Sequence, residues 1–79
     1  MRQWLAQDGW HIDVRGSAPP QPMVAILRLV NTLHDGTPVT AHLDRDPVML
    51  YPELAEIGWQ AKRVEAPADE VRLQLRRSV

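Results

Sequence analysis

Three prolines at positions 19, 20 and 22 divide the first half of the chain into two segments with different periodicities. Before them, Trp10, Ile12 and Val14 alternate with polar residues, as in a strand with one buried face. After them, apolar residues recur at a helical spacing, namely Met23, Ile26, Leu27, Val30 and Leu33. Because proline fixes φ and lacks an N–H group, residues 16–22 are predicted as a loop that ends in the first turn of this helix.

The second half of the chain continues with segments of the same two kinds. Val39, Ala41 and Leu43 alternate with polar residues and predict a second strand. A proline deep inside a helix costs about 3 kcal/mol, so Pro52 predicts that the second helix begins late, near that residue, and runs to Ile57. Two further strands are predicted, an edge strand at 59–64 and a strand at 71–76 with Val71, Leu73 and Leu75 on its buried side.

The predicted element order is β-α-β-α-β-β. Helices between consecutive strands imply that the first two strands are parallel, with right-handed crossovers that place both helices on one face. The predicted fold class is therefore α/β, a two-layer sandwich with a four-stranded mixed sheet and two helices on one face. Residues 1–9 have no clean period and are predicted as an N-terminal arm, followed by a single domain at 10–79.

The composition excludes several classes of function. The 79 residues contain no cysteine, which removes disulfides, thiolate metal ligands and every thiol mechanism. A formal net charge of −1 gives no long-range field for nucleic acid or anionic membranes. The chain has no long apolar run and no basic, apolar start of the signal-peptide type, so we expect a cytoplasmic protein without membrane association.

The loop after the first strand carries a resemblance to a known family. Residues 12–22 read IDVRG, two variable residues, Pro-Pro, one variable residue and Pro. This run resembles the Leu-Asp-x-x-Gly-x-x-Cys-Pro-x-Pro run of the TusA/SirA family of sulfur carriers, and Asp44-Arg45-Asp46-Pro47 is similar to the family's Asp-x-Pro element. The resemblance implies a TusA-like domain over residues 10–79. Pro19 stands where the family has its sulfur-bearing cysteine, so we expect that this chain does not carry sulfur.

A second resemblance is to an uncharacterised, cysteine-less bacterial branch of TusA-like domains. That branch has Pro-Pro at this place and a segment like DREPRPLYPEL, here DRDPVMLYPEL at residues 44–54. Its members are similar to stand-alone or fused domains associated with redox and nitrogen-oxide metabolism. The resemblance alone assigns no activity.

The candidate site is the edge where the first two strands end, since ligands of open α/β sheets gather beyond the carboxyl ends of parallel strands. Two loops supply its residues, which are Asp13, Arg15, Gly16, Pro19, Pro20 and Pro22 from one and His42, Asp44, Arg45 and Asp46 from the other. A purely structural interpretation stays open. In it, Asp13 and Arg15 form a local ion pair, the prolines stiffen a turn and an aspartate caps the second helix.

Two other kinds of site are possible from the pattern. His11 and His42 fall on the polar side of neighbouring predicted strands, and with Asp13 or Asp44 they make a weak alternative metal site for zinc or iron. Arg72, Arg76 and Arg77 suggest an RNA-binding face, although neighbouring acidic residues favour a solvated one; Trp4 and Trp59 complete the core or anchor a partner.

The sequence therefore predicts a non-catalytic binding or accessory module that recognises a protein or a small anion at the edge of the first two strands. We expect no enzymatic activity and no cofactor, because the chain offers no nucleophile with a plausible base. The alternative is a metal- or cofactor-binding redox accessory domain that uses His11, His42 and nearby carboxylates.

Overall fold

The computed structural model describes residues 1–78. Its elements are β1 (Arg2–Ala6), β2 (Gly9–Asp13), α1 (Gln21–Asn31), β3 (Val39–Leu43), α2 (Leu50–Glu56), β4 (Trp59–Val64) and β5 (Val71–Arg77). The strands form one mixed sheet in the order β1-β2-β3-β5-β4. Strands β2 and β3 are parallel and the other neighbours are antiparallel, so the α/β architecture with two helices agrees with the sequence prediction.

The sheet has five strands, so the prediction of four is wrong. Residues 2–6, inside the segment predicted as an N-terminal arm, form β1 and pair with β2 in a hairpin that turns at Asp8. Strand β1 lies at the edge of the sheet, and only Trp4 among its residues is partly covered. Because neither face of β1 is well buried, its sequence lacks the apolar alternation that marks the other strands.

The hydrophobic core lies between the sheet and the two helices. Cross-strand partners Ile12, Ala41 and Leu73 share the sheet face that the helices cover, and all three are buried. Helix α1 contributes Ile26, Leu29 and Val30, and helix α2 contributes Leu50 and Leu54. The predicted stripe of α1 is therefore rotated slightly: Leu29 is buried, whereas Met23, Leu27 and Leu33 are only partly buried against the core.

Helix α2 begins two residues before Pro52, which places this proline in the first turn, where a missing N–H group is tolerated. Strand β4 lies at the second edge of the sheet, as the sequence predicts. Strand β3 lies at the centre and is buried at every position, including the polar Thr40 and His42. Within residues 1–78, no helix is long and apolar enough to cross a membrane.

Candidate functional site

The two loops predicted to meet beyond β2 and β3 are in direct contact. The backbone N–H of Gly16 donates a hydrogen bond to Oδ2 of Asp44 at 2.7 Å, although 28 positions separate them. The N–H of Val14 donates to the carbonyl oxygen of His42 at 3.0 Å, which extends the parallel pairing to the end of the strands. The parallel arrangement of β2 and β3 thus brings both loops together at the carboxyl ends of these two strands.

A pocket of about 270 Å³ opens between these loops and the start of α1. The buried side chains of Val14, Leu43 and Leu50 line it from the core. The remaining lining residues come from the two loops and the first turns of the helices, namely Ser17, Pro19, Pro20, Pro22, Met23 and residues 44–49. The pocket is therefore largely apolar, with the polar groups Asp44, Arg45 and Asp46 along one side.

The loops around the pocket are held in place by covalent and polar constraints. Prolines at 19, 20, 22 and 47 fix φ at four lining positions. The Tyr51 hydroxyl of α2 donates a hydrogen bond to Asp46, which fastens the second loop to that helix. Burial, together with this bond to the carboxylate, raises the pKa of Tyr51 to about 12, so the hydroxyl keeps its proton at neutral pH.

Two large apolar side chains stand beside the pocket in contact with solvent. Val48 is 69% exposed and Met49 is 74% exposed, and both belong to the lining of the pocket. Apolar surface therefore continues from the buried end of the pocket to the outside of the molecule.

Arg15 also lies beyond the carboxyl end of β2, but it does not line the pocket. Its guanidinium binds Asp13 through Nε at 2.9 Å and Nη2 at 2.8 Å, and its Nη1 reaches Glu70 at 3.3 Å. The hydrogen bonds from Arg15 lower the pKa of Asp13 from 3.8 to about 2. The local ion pair of the purely structural interpretation is thus present, whereas its aspartate cap is not, since Met49 is the N-cap of α2 and no side-chain hydrogen bond caps that helix. Arg45 is exposed on the pocket side and forms no ion pair within residues 1–78.

The start of α1 offers few donors to an anion. Pro20 and Pro22 have no N–H group, and the N–H of Gln21 already donates to the carbonyl oxygen of Ala18 at 2.9 Å. No side-chain hydrogen bond caps this helix. The anion site that helix N-termini usually provide is therefore weakened here.

A second polar cluster occupies the opposite face of the sheet. Nε2 of His11 lies 2.8 Å from Oδ1 of Asp8, and Nδ1 of His11 lies 3.0 Å from Nε2 of His42. Nδ1 of His42 in turn lies 2.7 Å from Oε2 of Glu70. The Trp4 ring stacks on both imidazoles, with centroid distances of 5.1 and 5.7 Å.

Glu70 ends this line of hydrogen bonds and is absent from the residues that the sequence pattern predicts for a site. Its side chain is 4% exposed and also accepts a bond from Nε of Arg72 at 2.8 Å. The bond from Arg72 is the largest cause that lowers the pKa of Glu70. The sequence does contain one signal for Glu70. It lies directly before β5 and two residues before Arg72, so the alternation of that strand places both side chains on the polar face of the sheet.

The metal-site alternative gains no support from this geometry. His11 and His42 do come together, but their facing nitrogens are hydrogen-bonded to each other. The carboxylates of Asp13 and Asp44 are engaged by Arg15 and by the Gly16 N–H. Residues 1–78 contain no group of three or more histidine, cysteine, aspartate or glutamate side chains that could hold a metal ion.

The remaining predicted side chains lie apart from the pocket. Arg76 Nε approaches Gln74 Oε1 at 3.4 Å, and Arg77 donates to the carbonyl oxygen of Leu33 at 3.4 Å. Trp59 is 3% exposed and completes the core. Trp4 lies on the polar face, where it covers the histidine pair.

Comparison with known proteins agrees with this fold. A family model described as an uncharacterized conserved protein, DUF2249, matches residues 11–77. The chain belongs to the DUF2249 family. The crystal structure of the SirA-like protein from Desulfitobacterium hafniense is similar to this DUF2249 chain with a TM-score of 0.74 and 21% sequence identity, covering 87% of this chain and 97% of that one. No curated protein matches the sequence.

The structural likeness confirms the predicted TusA/SirA-like fold. At 21% identity it concerns the fold alone. In this DUF2249 chain the loop after the first parallel strand carries Pro19 and Pro20 beside the pocket, and the whole sequence has no cysteine.

Proposed function

We propose that this chain is a non-catalytic binding module that recognises a partner protein by holding one of its apolar side chains in the pocket beyond β2 and β3. The observation that carries this proposal is the continuity between the buried lining of the pocket and the exposed Val48 and Met49. A partner that fills the pocket also covers these two side chains, and both contacts remove apolar surface from water.

The size and stiffness of the pocket support a side chain as its occupant. Pockets for drug-sized molecules usually enclose about 300–1,000 Å³, and this one, at about 270 Å³, is at the small end of that scale. Its proline-rich walls need little ordering when a partner binds, which lowers the entropic cost of association. Methionine, present here as Met23 and Met49, adapts its shape to varied apolar partners.

A small anion, the other ligand predicted from the sequence, fits the edge less well. Arg15 is already neutralised by Asp13 and Glu70, and the prolines remove donors from the start of α1. Arg45 remains as a cation in the pocket lining, with Asp44 and Asp46 next to it. In our proposal the chain neither carries sulfur nor catalyses a reaction.

Peptide selection tests this function directly. Peptides selected from a library of linear sequences for binding to the full chain are measured against the wild type and Met49→Glu. We expect Met49→Glu to weaken binding about tenfold or more, equivalent to ~1.4 kcal/mol, because it places a charge against the apolar contact.

Ile57→Glu is the matched control for this experiment. Ile57 is an apolar residue of similar size next to α2 that is 38% exposed and does not line the pocket. We expect Ile57→Glu to bind the selected peptides within about twofold of the wild type, since contacts outside an interface contribute little. Selected peptides that distinguish neither variant from the wild type would contradict the proposed function.

A further inference from the structure

Three consecutive hydrogen bonds connect the carboxylates of Asp8 and Glu70 through two imidazole rings. The contacts measure 2.8 Å from Asp8 to His11, 3.0 Å from His11 to His42 and 2.7 Å from His42 to Glu70. Each ring uses one nitrogen toward a carboxylate and the other toward the second ring. Whether each ring nitrogen donates or accepts a hydrogen bond therefore depends on the group that it faces.

The number of protons on the pair follows from this arrangement. The hydrogen bond from His11 lowers the pKa of Asp8, and the hydrogen bonds from Arg72 and His42 lower the pKa of Glu70. Both carboxylates are therefore ionised and accept hydrogen bonds. In the observed geometry His11 then donates from Nε2 to Asp8, and His42 donates from Nδ1 to Glu70. The central bond needs a third proton between His11 Nδ1 and His42 Nε2. Two neutral rings that keep both carboxylate bonds would instead direct two lone pairs at each other.

We propose that His11 and His42 share a single additional proton, and that this proton makes the pair a pH-sensitive latch between the β1–β2 hairpin, β3 and the start of β5. The latched pair has three protons on four nitrogens and one positive charge. Adding a proton places two N–H groups and two positive charges face to face, which breaks the central bond. Removing one costs either the central bond or the bond between His11 and the exposed carboxylate of Asp8. Each change therefore removes at least one of the three hydrogen bonds.

The surroundings of the pair suit one positive charge better than two. Six charged groups face this cluster from β1, from β2 and its flanking residues, and from the start of β5. They are the carboxylates of Asp8, Asp13 and Glu70 and the guanidinium groups of Arg2, Arg15 and Arg72. Trp4 covers both rings, and His42 is buried. A second charge about 3 Å from the first, in a partly desolvated cluster, is strongly disfavoured.

Nitrogen-15 NMR of the imidazole rings in the intact chain measures the shared proton. We expect one ring N–H between Nδ1 of His11 and Nε2 of His42, protected from solvent exchange, in the state that carries three protons. His34 provides the internal reference, because it takes no part in this line of hydrogen bonds. The absence of a protected N–H between the two rings at every pH at which the chain is folded would overturn the proposal.

The pH dependence of the urea midpoint gives a second measurement. We expect the difference between the wild type and His11→Asn to vary with pH and to be largest where the pair holds three protons, because gain or loss of a proton removes one of the three hydrogen bonds. His34→Asn is the matched control and should follow the wild-type profile. A difference between the wild type and His11→Asn that is the same at every pH at which both proteins fold would show that no shared proton stabilises the fold.

Discussion

Glu70 accepts hydrogen bonds from His42, Arg72 and Arg15, although its side chain is only 4% exposed. A buried carboxylate is stable only where such partners replace the water it has lost. Arg15, predicted from the sequence as a ligand-binding residue, therefore has a structural contact as well. Its replacement would disturb both the ion pair with Asp13 and the surroundings of Glu70.

We predict that Glu70→Gln lowers the free energy of unfolding by about 1–3 kcal/mol, because it removes the charge that two guanidinium groups and an imidazole contact. Urea denaturation at neutral pH measures this change. Glu65→Gln is the matched control, since Glu65 is exposed and makes no ion pair within residues 1–78. Equal stability of the two variants would mean that the Glu70 contacts contribute nothing.

Asp13 gives a prediction in acid. Its pKa in the folded protein is about 2, lower than the ordinary 3.8, because Arg15 stabilises the ionised form. A carboxyl with a lowered pKa adds stability above its ordinary pKa, and this stability is lost as the pH falls toward the lowered value. We expect the advantage of the wild type over Asp13→Asn to be full above about pH 5, to decline below the ordinary pKa of 3.8 and to be lost as the pH falls through about 2. Thermal unfolding across this range tests the expectation, and an advantage that persists unchanged at pH 2 would contradict it.

At the scale of the elements, the hairpin formed by β1 and β2 depends on a glycine. Gly9 has a φ of 114°, and a Cβ atom there would collide with the carbonyl oxygen of Pro38. That oxygen accepts the hydrogen bond from the N–H of Trp10 at 3.0 Å, so the close approach of the two backbones is part of the sheet. Glycine permits both the positive φ and the approach.

We predict that Gly9→Ala costs about 1–3 kcal/mol more than Gly36→Ala in free energy of unfolding. Gly36 also has a positive φ, of 83°, but a Cβ atom there would meet open space. The comparison therefore separates the collision with Pro38 from backbone strain alone. Chemical denaturation of both variants is the measurement, and equal losses would show that the segment before β3 moves away easily.

Elements with one well-buried face are predictable from the sequence. Strands β2, β3 and β5 and helix α1 have a clear apolar period, because their apolar residues face the core between the sheet and the helices. Strand β1 escapes prediction since its faces are largely exposed. The burial of Leu29 escapes it as well, because the apolar spacing of α1 favours a stripe through Leu27, whereas the packing against the sheet sets the final rotation of the helix.

The polar sites are predictable only in part. Parallel pairing of β2 and β3 is enough to place Gly16 beside Asp44. The line from Asp8 to Glu70 depends on side-chain directions across β2, β3 and the start of β5, and on the unpredicted hairpin. The apolar character of the pocket owes much to Val48 and Met49, which lie in a loop without any period that would mark them.

At the scale of the whole molecule, the two sites lie on opposite faces of one sheet. The pocket opens on the side of the helices, and the histidine pair lies on the other side under Trp4. Two adjacent residues connect the two regions. Gly16 binds Asp44 on the pocket side, and Arg15 binds Glu70 on the side of the histidine pair. A partner in the pocket and a proton on the histidine pair are thus recognised by separate sets of side chains.

NMR mapping of a bound peptide tests the central claim most directly, because it reports which face of the sheet is covered. The full chain is labelled in its methionine methyl groups and tryptophan indole groups and titrated with a peptide selected for binding. We predict that the methyl signals of Met23 and Met49, which line the pocket, shift on binding, while the indole signal of Trp4 stays in place. A shift of Trp4 with both methionine signals unchanged would place the partner on the opposite face and contradict the account.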